Sequence, residues 1–385
     1  MSRLPFRLLF WLFLFTLVLS ACDKSPDSDP KENNVSLIPA CGGTIDTPLF
    51  AALPVAESAI SEVIVFGELD PGGGDVIPNG QTGIRLAQQG VQLVAPADAY
   101  IVAVKKATWL ASPTRQGESD YTVVFRPCTD VTVTFSHVAT ITPNLESYLG
   151  NATCEEYSTE SETIRSCVAE GFEIPILAGD VLGTAGGVTA GGLDFDMMDL
   201  RSTATVTTRV EEPYYKNAVC FSRYYSGANR TLLESKTGLS GDMRDGTPAC
   251  GTIEVDIAET AQGVWVRKDN PVAYSGNADS YLTLAPGFLH PEAKLDLSFG
   301  GQALRPLMTV PRSTVGRTNL DFGSVSGDGL IYCYADVNDT VSVFLSLSAN
   351  QELKIERLTH DLGLTPCSNS SDTWAFSNLA VTYIR

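Results

Sequence analysis

YTVVFRPCTDVTVTFSHVATI, residues 121–141, reads as a pair of strands that ends in Phe135-Ser136-His137-Val138. Val131, Val133, Phe135 and His137 fall on one face, and Thr132, Thr134 and Ser136 on the other. A period of two is the signature of a half-buried strand. The same period returns in Ile253, Val255 and Ile257, and in Leu295, Leu297 and Phe299. It returns again in Val341, Val343, Leu345 and Leu347, and continues in Leu353 and Ile355 past the turn SANQ. Gly, Pro, Asn and Asp separate these runs, as turn formers do. No long amphipathic helix is written in the chain, and PNLESYLGN, residues 143–151, is the best short candidate. The predicted fold class is mainly β, and 385 residues are enough for two domains.

Three more blocks surround the opening stretch. QGVQLVAPADAYIVAV (89–104) is a strand, a tight Pro-containing turn and a return strand. ILAGDVLGTAGG (176–187) is a strand and turn, and GGLDFDMMD (191–199) follows it. Residues 201–250 are polar and tyrosine-rich, and CGTIEVDIAETAQGVWV then starts a new run of strands. These shifts predict a first β-domain over 49–205, a disulfide-containing connector over 206–248 and a second all-β domain over 249–385. The second domain is expected to be an antiparallel sandwich or barrel. Its Trp265, Tyr332, Tyr334 and Trp374 are either core aromatics or the lining of a binding face.

In that order, the blocks of the first domain resemble LytM/lysostaphin-type peptidoglycan endopeptidases, built on a duplicated hybrid motif. That family shows G-x-x-V-x-A-P-x-D-G-x-V, then a strand ending Y-x-H-L, then G-x-x-V-x-x-G-x-x-I-G-x-x-G, then H-L-H-F. Here an insertion over 145–170 carries Cys154 and Cys167. The first and third blocks also look like carrier-domain hairpins. Those present a lysine at the hairpin tip, whereas Lys105 and Lys106 follow the return strand.

The resemblance implies a zinc site, and the residues depart from it. A catalytic zinc needs three protein ligands and an open position for water. The resemblance places His137 at the Y-x-H-L histidine. It places Gly192 at the first, catalytic His of H-L-H-F, and Asp194 at the second His of that pair, the final zinc ligand. The block that should supply the other ligands, LDPGGGDVIPNGQTGIRL (69–86), holds no histidine and only Asp70 and Asp75 as acids. His290 and His360, the remaining histidines, fall in the second domain. No zinc and no other cofactor is expected. A carboxylate set drawn from Asp70 or Asp75 with Asp194, Asp196 or Asp199 would suit calcium or magnesium better than zinc. His137 sits on an apolar strand face, where a hydrogen-bonded core histidine is the common case. Ser136 beside it points to the opposite face and makes no Ser–His pair.

The N-terminus predicts an address. Arg3 and Arg7 precede an apolar run from Leu8 to Leu19 that ends in LSAC, the form of a secretory signal over 1–21. The small residues before Cys22 make it a lipoprotein signal, with Cys22 lipidated. Residues 22–48 are then a disordered tether: DKSPDSDPKENNVS, 23–36, is too polar to bury much surface. The expected location is the bacterial cell envelope, anchored by lipid and facing the periplasm. Asp23 leans towards inner-membrane retention without deciding between the two membranes.

The chain's charge of −19 becomes −21 once Arg3 and Arg7 leave with residues 1–21. That surface repels nucleic acid, which is excluded as a partner. Eight cysteines follow Cys22, an even count that predicts disulfides in an exported chain. Short loops favour Cys154–Cys167, Cys220–Cys250 and Cys333–Cys367, which leaves Cys41–Cys128. The function expected is that of a non-catalytic envelope lipoprotein, a pseudo-metallopeptidase that binds peptidoglycan or an envelope protein. Two alternatives stand beside it. One is an active metalloendopeptidase with a diverged metal site that cleaves peptidoglycan crosslinks. The other is a structural or sensory lipoprotein that acts through its C-terminal domain.

Overall fold

The computed structural model describes residues 36–385, apart from 71–75, 160, 188–190, 205–214, 216, 272–278, 302–305 and 337. The expected signal segment, Cys22 and the start of the expected tether lie outside the described residues. No helix among the described residues is long and apolar enough to cross a membrane.

The protein is mainly β, with two sheets. The first is built from β1 (Ile60–Ile64), β2 (Gly83–Leu86), β3 (Val91–Val94), β4 (Ala99–Ala111), β5 (Ser119–Cys128) and β6 (Val131–Ile141). It is completed by β7 (Thr153–Ser158), β8 (Thr163–Ile176), β9 (Val181–Ala185), β10 (Gly192–Asp199), β11 (Thr237–Leu239) and β12 (Asp242–Met243). The main path runs β12-β11-β1-β2-β10-β6-β5-β4-β8-β7, and β9 joins β3 to the far end of β6. The stretch that opens the sequence is thus the central hairpin, and β10 lies beside it in antiparallel register, with Phe195 opposite Phe135 and Asp194 opposite Ser136.

The apolar period explains this core. Phe125, Phe135 and Phe195, all fully buried, follow one another with ring centroids 5.1 and 4.8 Å apart. Phe221 stacks on Phe195 at 4.1 Å. Phe221 belongs to the 206–248 stretch, whose described part does not stand apart from the first sheet. Its Tyr224, Tyr225 and Leu233 are buried in the same core. Its two-turn helix α1 (Gly227–Ser235) leads into β11, which adds to β1 in parallel.

The chain is already held at Ser36, before the predicted tether ends. Leu37 N–H donates to Glu173 at 2.6 Å, Ile38 is buried, and Cys41 is joined to Cys128 at the tip of the β5–β6 hairpin. The short candidate helix at 143–151 is present as one helical stretch, Pro143–Tyr148, and a 3-10 turn, Leu149–Asn151.

The second sheet comprises β13 (Gly263–Arg267), β14 (Tyr281–Pro286), β15 (Lys294–Phe299), β16 (Leu307–Pro311), β17 (Tyr332–Ala335), β18 (Val341–Leu347), β19 (Leu353–Thr359) and β20 (Val381–Ile384). Its order is β16-β15-β14-β13-β20-β19-β18-β17, antiparallel throughout, and edge strands β16 and β17 approach one another so that it nearly closes as a barrel. The alternating run at 253–257 is not a strand: Ile253 and Val255 are buried at the seam between the sheets, while Ile257 is exposed. β18 is buried on both faces. The segment after β19, tied down by Cys333–Cys367, covers its outer side with Trp374 on Phe344. The Ser342 hydroxyl, at 0% exposure, meets His360 Nε2 at 2.7 Å and Thr365 Oγ1 at 2.8 Å. A buried hydroxyl needs such partners. Trp265 and Tyr334 are fully buried, and Tyr332 and Trp374 nearly so. These four aromatics are core groups and line no open face.

Candidate functional site

The sequence places His137 on the apolar face of β6; the structure moves it off that face. Across the hairpin Tyr121 faces Val138 and Val123 faces Phe135, so Ser136 and His137 together oppose Thr122. Two residues against one is a β-bulge, and bulges re-aim side chains. His137 takes φ of 60°, a left-handed backbone that β-strand residues rarely adopt. Val138 resumes the buried face in its place. The bulge is held from the β9 side, where Gly186 and Gly187 N–H both donate to the His137 carbonyl, at 3.1 and 2.7 Å.

The imidazole turned out by the bulge lies between two acids. Its Nδ1 is 3.0 Å from Asp120 Oδ2 and its Nε2 is 3.2 Å from Asp194 Oδ2. Asp120 is the second residue of β5 and is buried, while Asp194 comes from β10 and is about a quarter exposed. Burial by itself would lower the pKa of this ring. The Asp194 charge, the hydrogen bonds to Asp120 and Asp194, and the Asp120 charge outweigh it and raise the pKa to about 10. The ring is therefore an imidazolium at neutral pH.

Asp120 was not among the residues singled out from sequence. It lies one residue before the quoted strand, and only its placement across the hairpin brings it to His137. Gly192 lies one turn of pleat from Asp194 and faces Arg85 of β2. A Cβ there would stand 2.9 Å from the Ile84 carbonyl oxygen, so the position is closed to side chains as the strands now pack.

The other acids considered for a metal have different duties. Asp196 accepts from Thr82 N–H at 3.1 Å, and Asp199 holds Arg201 through both oxygens and accepts from the Tyr224 hydroxyl at 2.6 Å. Burial would raise the Asp199 carboxyl, but those hydrogen bonds keep it below its usual value. Asp70 lies beyond β1 and is exposed, and Asp75 lies outside the described residues. His290 contacts Asp242 and Asp245 at 3.1 Å each, at the seam. Among the described residues no three His, Cys, Asp or Glu side chains are grouped so as to hold a metal ion. The donor set around His137 explains this. Its two ring nitrogens point in divergent directions, each at its own carboxylate, so one ion cannot engage all three groups. The described residues around His137 do not fit zinc or calcium.

The arrangement is also not a hydrolytic relay. An acid on Nδ1 orients an imidazole as a general base only when Nε2 faces a nucleophile. Here Nε2 faces Asp194, and a ring already protonated cannot accept a proton.

Among the described residues three disulfides are present, Cys41–Cys128, Cys154–Cys167 and Cys333–Cys367. Cys220 and Cys250, expected as a fourth, are buried thiols in this structure. Both lie in the same buried apolar cluster. In comparisons with known proteins, no family model and no curated protein matched the chain.

Proposed function

We propose that the protein is a non-catalytic envelope lipoprotein whose first β-domain uses a LytM-like peptidase scaffold to bind peptidoglycan or an envelope partner protein. One observation carries this reading: the imidazole at the position of the family's catalytic histidine is locked between Asp120 and Asp194 as an ion pair. Asp194 stands at the position of the last zinc ligand and spends its carboxylate on His137. The arrangement supplies charge and shape for binding, and no activated water. The second sheet then serves as a support or a second contact surface.

The test combines metal analysis of the purified chain with incubation on isolated peptidoglycan. Retention on the sacculus, or on a defined envelope protein, without release of muropeptides and without response to a chelator is the expected result. Stoichiometric zinc together with chelator-sensitive release of crosslink fragments would overturn it.

A further inference from the structure

The seam between the two sheets holds a second chemical group that the reading above does not use. Cys220 and Cys250 are each 1% exposed and sit in one apolar cluster with Phe66, Ile253, Val264 and Tyr281. Cys220 immediately precedes the 3-10 turn Phe221–Tyr224, which carries Phe221 into the first core. Cys250 precedes Gly251, which pairs with Phe66 just beyond β1. The two cysteines thus meet from opposite sides of the seam. The six other cysteines of the described chain are all joined in pairs.

The geometry points to Cys220 and Cys250 as the site of a fourth disulfide, closed during folding, that staples the Phe221 turn to the first residues of the C-terminal half. A thiolate is needed to start the exchange. While the seam is still open to solvent either sulfur can supply it, and the steps below are the same with the two exchanged.

The oxidant is the disulfide of a thiol-oxidising partner protein. The Cys220 thiolate attacks one sulfur of that disulfide, forms a mixed disulfide and releases one donor thiolate. The Cys250 thiol loses its proton and attacks the Cys220 sulfur, which expels the second donor thiolate. Two protons leave the pair, and two electrons end on the donor, now a dithiol. With both sulfurs shielded in the finished fold, a protein-sized donor reaches them only before the seam closes. The same shielding then protects the bond from reductant.

The test uses the full chain exported by its own N-terminus. It is acid-quenched, denatured and alkylated without reductant, then cut with trypsin. Cuts at Arg223 and Arg244 place Cys220 and Cys250 on separate peptides. A Cys220–Cys250 linked pair in most molecules is expected. Alkylated thiols at both positions in most molecules, or either cysteine joined to a different one, overturns the inference. A second measurement adds reductant to the folded chain and follows each bond. Cys154–Cys167, on the exposed edge strand β7, should open at least tenfold faster than Cys220–Cys250. Equal rates would contradict a bond closed inside the seam. Neither readout depends on what the first domain binds.

Discussion

His137 Nε2 lies 3.2 Å from Asp194 Oδ2, on the opposite side of the ring from the 3.0 Å contact between Nδ1 and Asp120 Oδ2. One imidazolium therefore separates two carboxylates contributed by β5 and β10. Taking it away leaves both acids partly desolvated and facing each other across the gap. Removing one member of a largely buried ion pair costs more than the pair itself contributes. We expect His137→Ala to lose about 3 kcal/mol in urea unfolding, the low end of the buried-pair range because the ring is about a quarter exposed. Asp194→Asn should lose less and lower the pKa of the ring, read directly from the imidazole proton shifts by NMR. A wild-type ring that is neutral at pH 8 would remove the ion pair from the account.

The same pair sets a pH dependence whose sign is fixed. The folded ring has a pKa of about 10 and the unfolded one stays near 6.5. The folded state thus binds the extra proton, and the ring's contribution is complete below the unfolded value. It declines as the pH climbs from there and is gone above about 10. Comparing wild type with His137→Gln isolates this contribution from the other groups that titrate in alkali. The gap in unfolding free energy should be on the order of a few kcal/mol at pH 6 and should narrow towards pH 10. A gap that is constant across that range would show the ring is not charged in the fold.

What the sequence disclosed follows from what its periods encode. The alternation in 131–135 placed a buried strand, and the Phe125, Phe135 and Phe195 core obeys it. The period fails one step later, at Ser136-His137, because a bulge is set by the backbone of the neighbouring β9 and by a left-handed φ, not by hydrophobicity. Asp120 was legible in principle, since a hairpin turning at 129–130 brings residues near 120 across from residues near 138. That arithmetic needs the turn position, which the alternation alone does not give. The serines of β18 alternate with apolar residues, yet Ser342 is buried because the segment after β19 folds over it. Long-range covering layers leave no local trace in a period of two.

Two glycines give a way to disturb the site through its packing. A Cβ on Gly187 would stand 2.4 Å from Asp120 Oδ1 and 2.8 Å from its Cγ. Gly187→Ala should push Asp120 off His137 and cost about 1–3 kcal/mol, the usual toll of overpacking. Gly192→His tests the resemblance itself. The Cβ clash with the Ile84 carbonyl would part β2 from β10, so the variant should be less stable and should take up no zinc in metal analysis. A stable Gly192→His chain that binds one equivalent of zinc would show that the cradle survives intact.

Cys41–Cys128 closes a separation of 87 residues between the start of the described chain and the tip of the central hairpin. A bond of that span removes much of the freedom of the unfolded chain, up to about 4–5 kcal/mol by chain entropy and commonly 2–4 in practice. The double variant Cys41→Ala with Cys128→Ala should lose stability in that range. It should also free Leu37 from Glu173, which makes the 36–41 stretch the first site of protease cleavage. An unchanged cleavage pattern would mean that Ile38 and the Glu173 contacts hold the segment unaided.

The Phe221 stack makes a prediction about where the first folding unit ends. A fragment ending at residue 205 stops at the edge that the composition shift suggests. It would lack Phe221, Tyr224, Tyr225 and Leu233, all fully buried in the first core, and strand β11. Each such side chain contributes roughly 1.5–3 kcal/mol by burial, so the four together rival the 5–15 kcal/mol that a domain of this kind has in hand. Their loss would also take the Tyr224 hydroxyl from Asp199 and the Tyr225 hydroxyl from the Ala52 carbonyl. The fragment 36–205 should therefore show no cooperative thermal transition by circular dichroism. Within the whole chain, Phe221→Ala should cost about 3–5 kcal/mol through the cavity it leaves against Phe195. A sharp unfolding transition in 36–205 would place the boundary at the composition shift and reduce the aromatic stack to a contact between separate units.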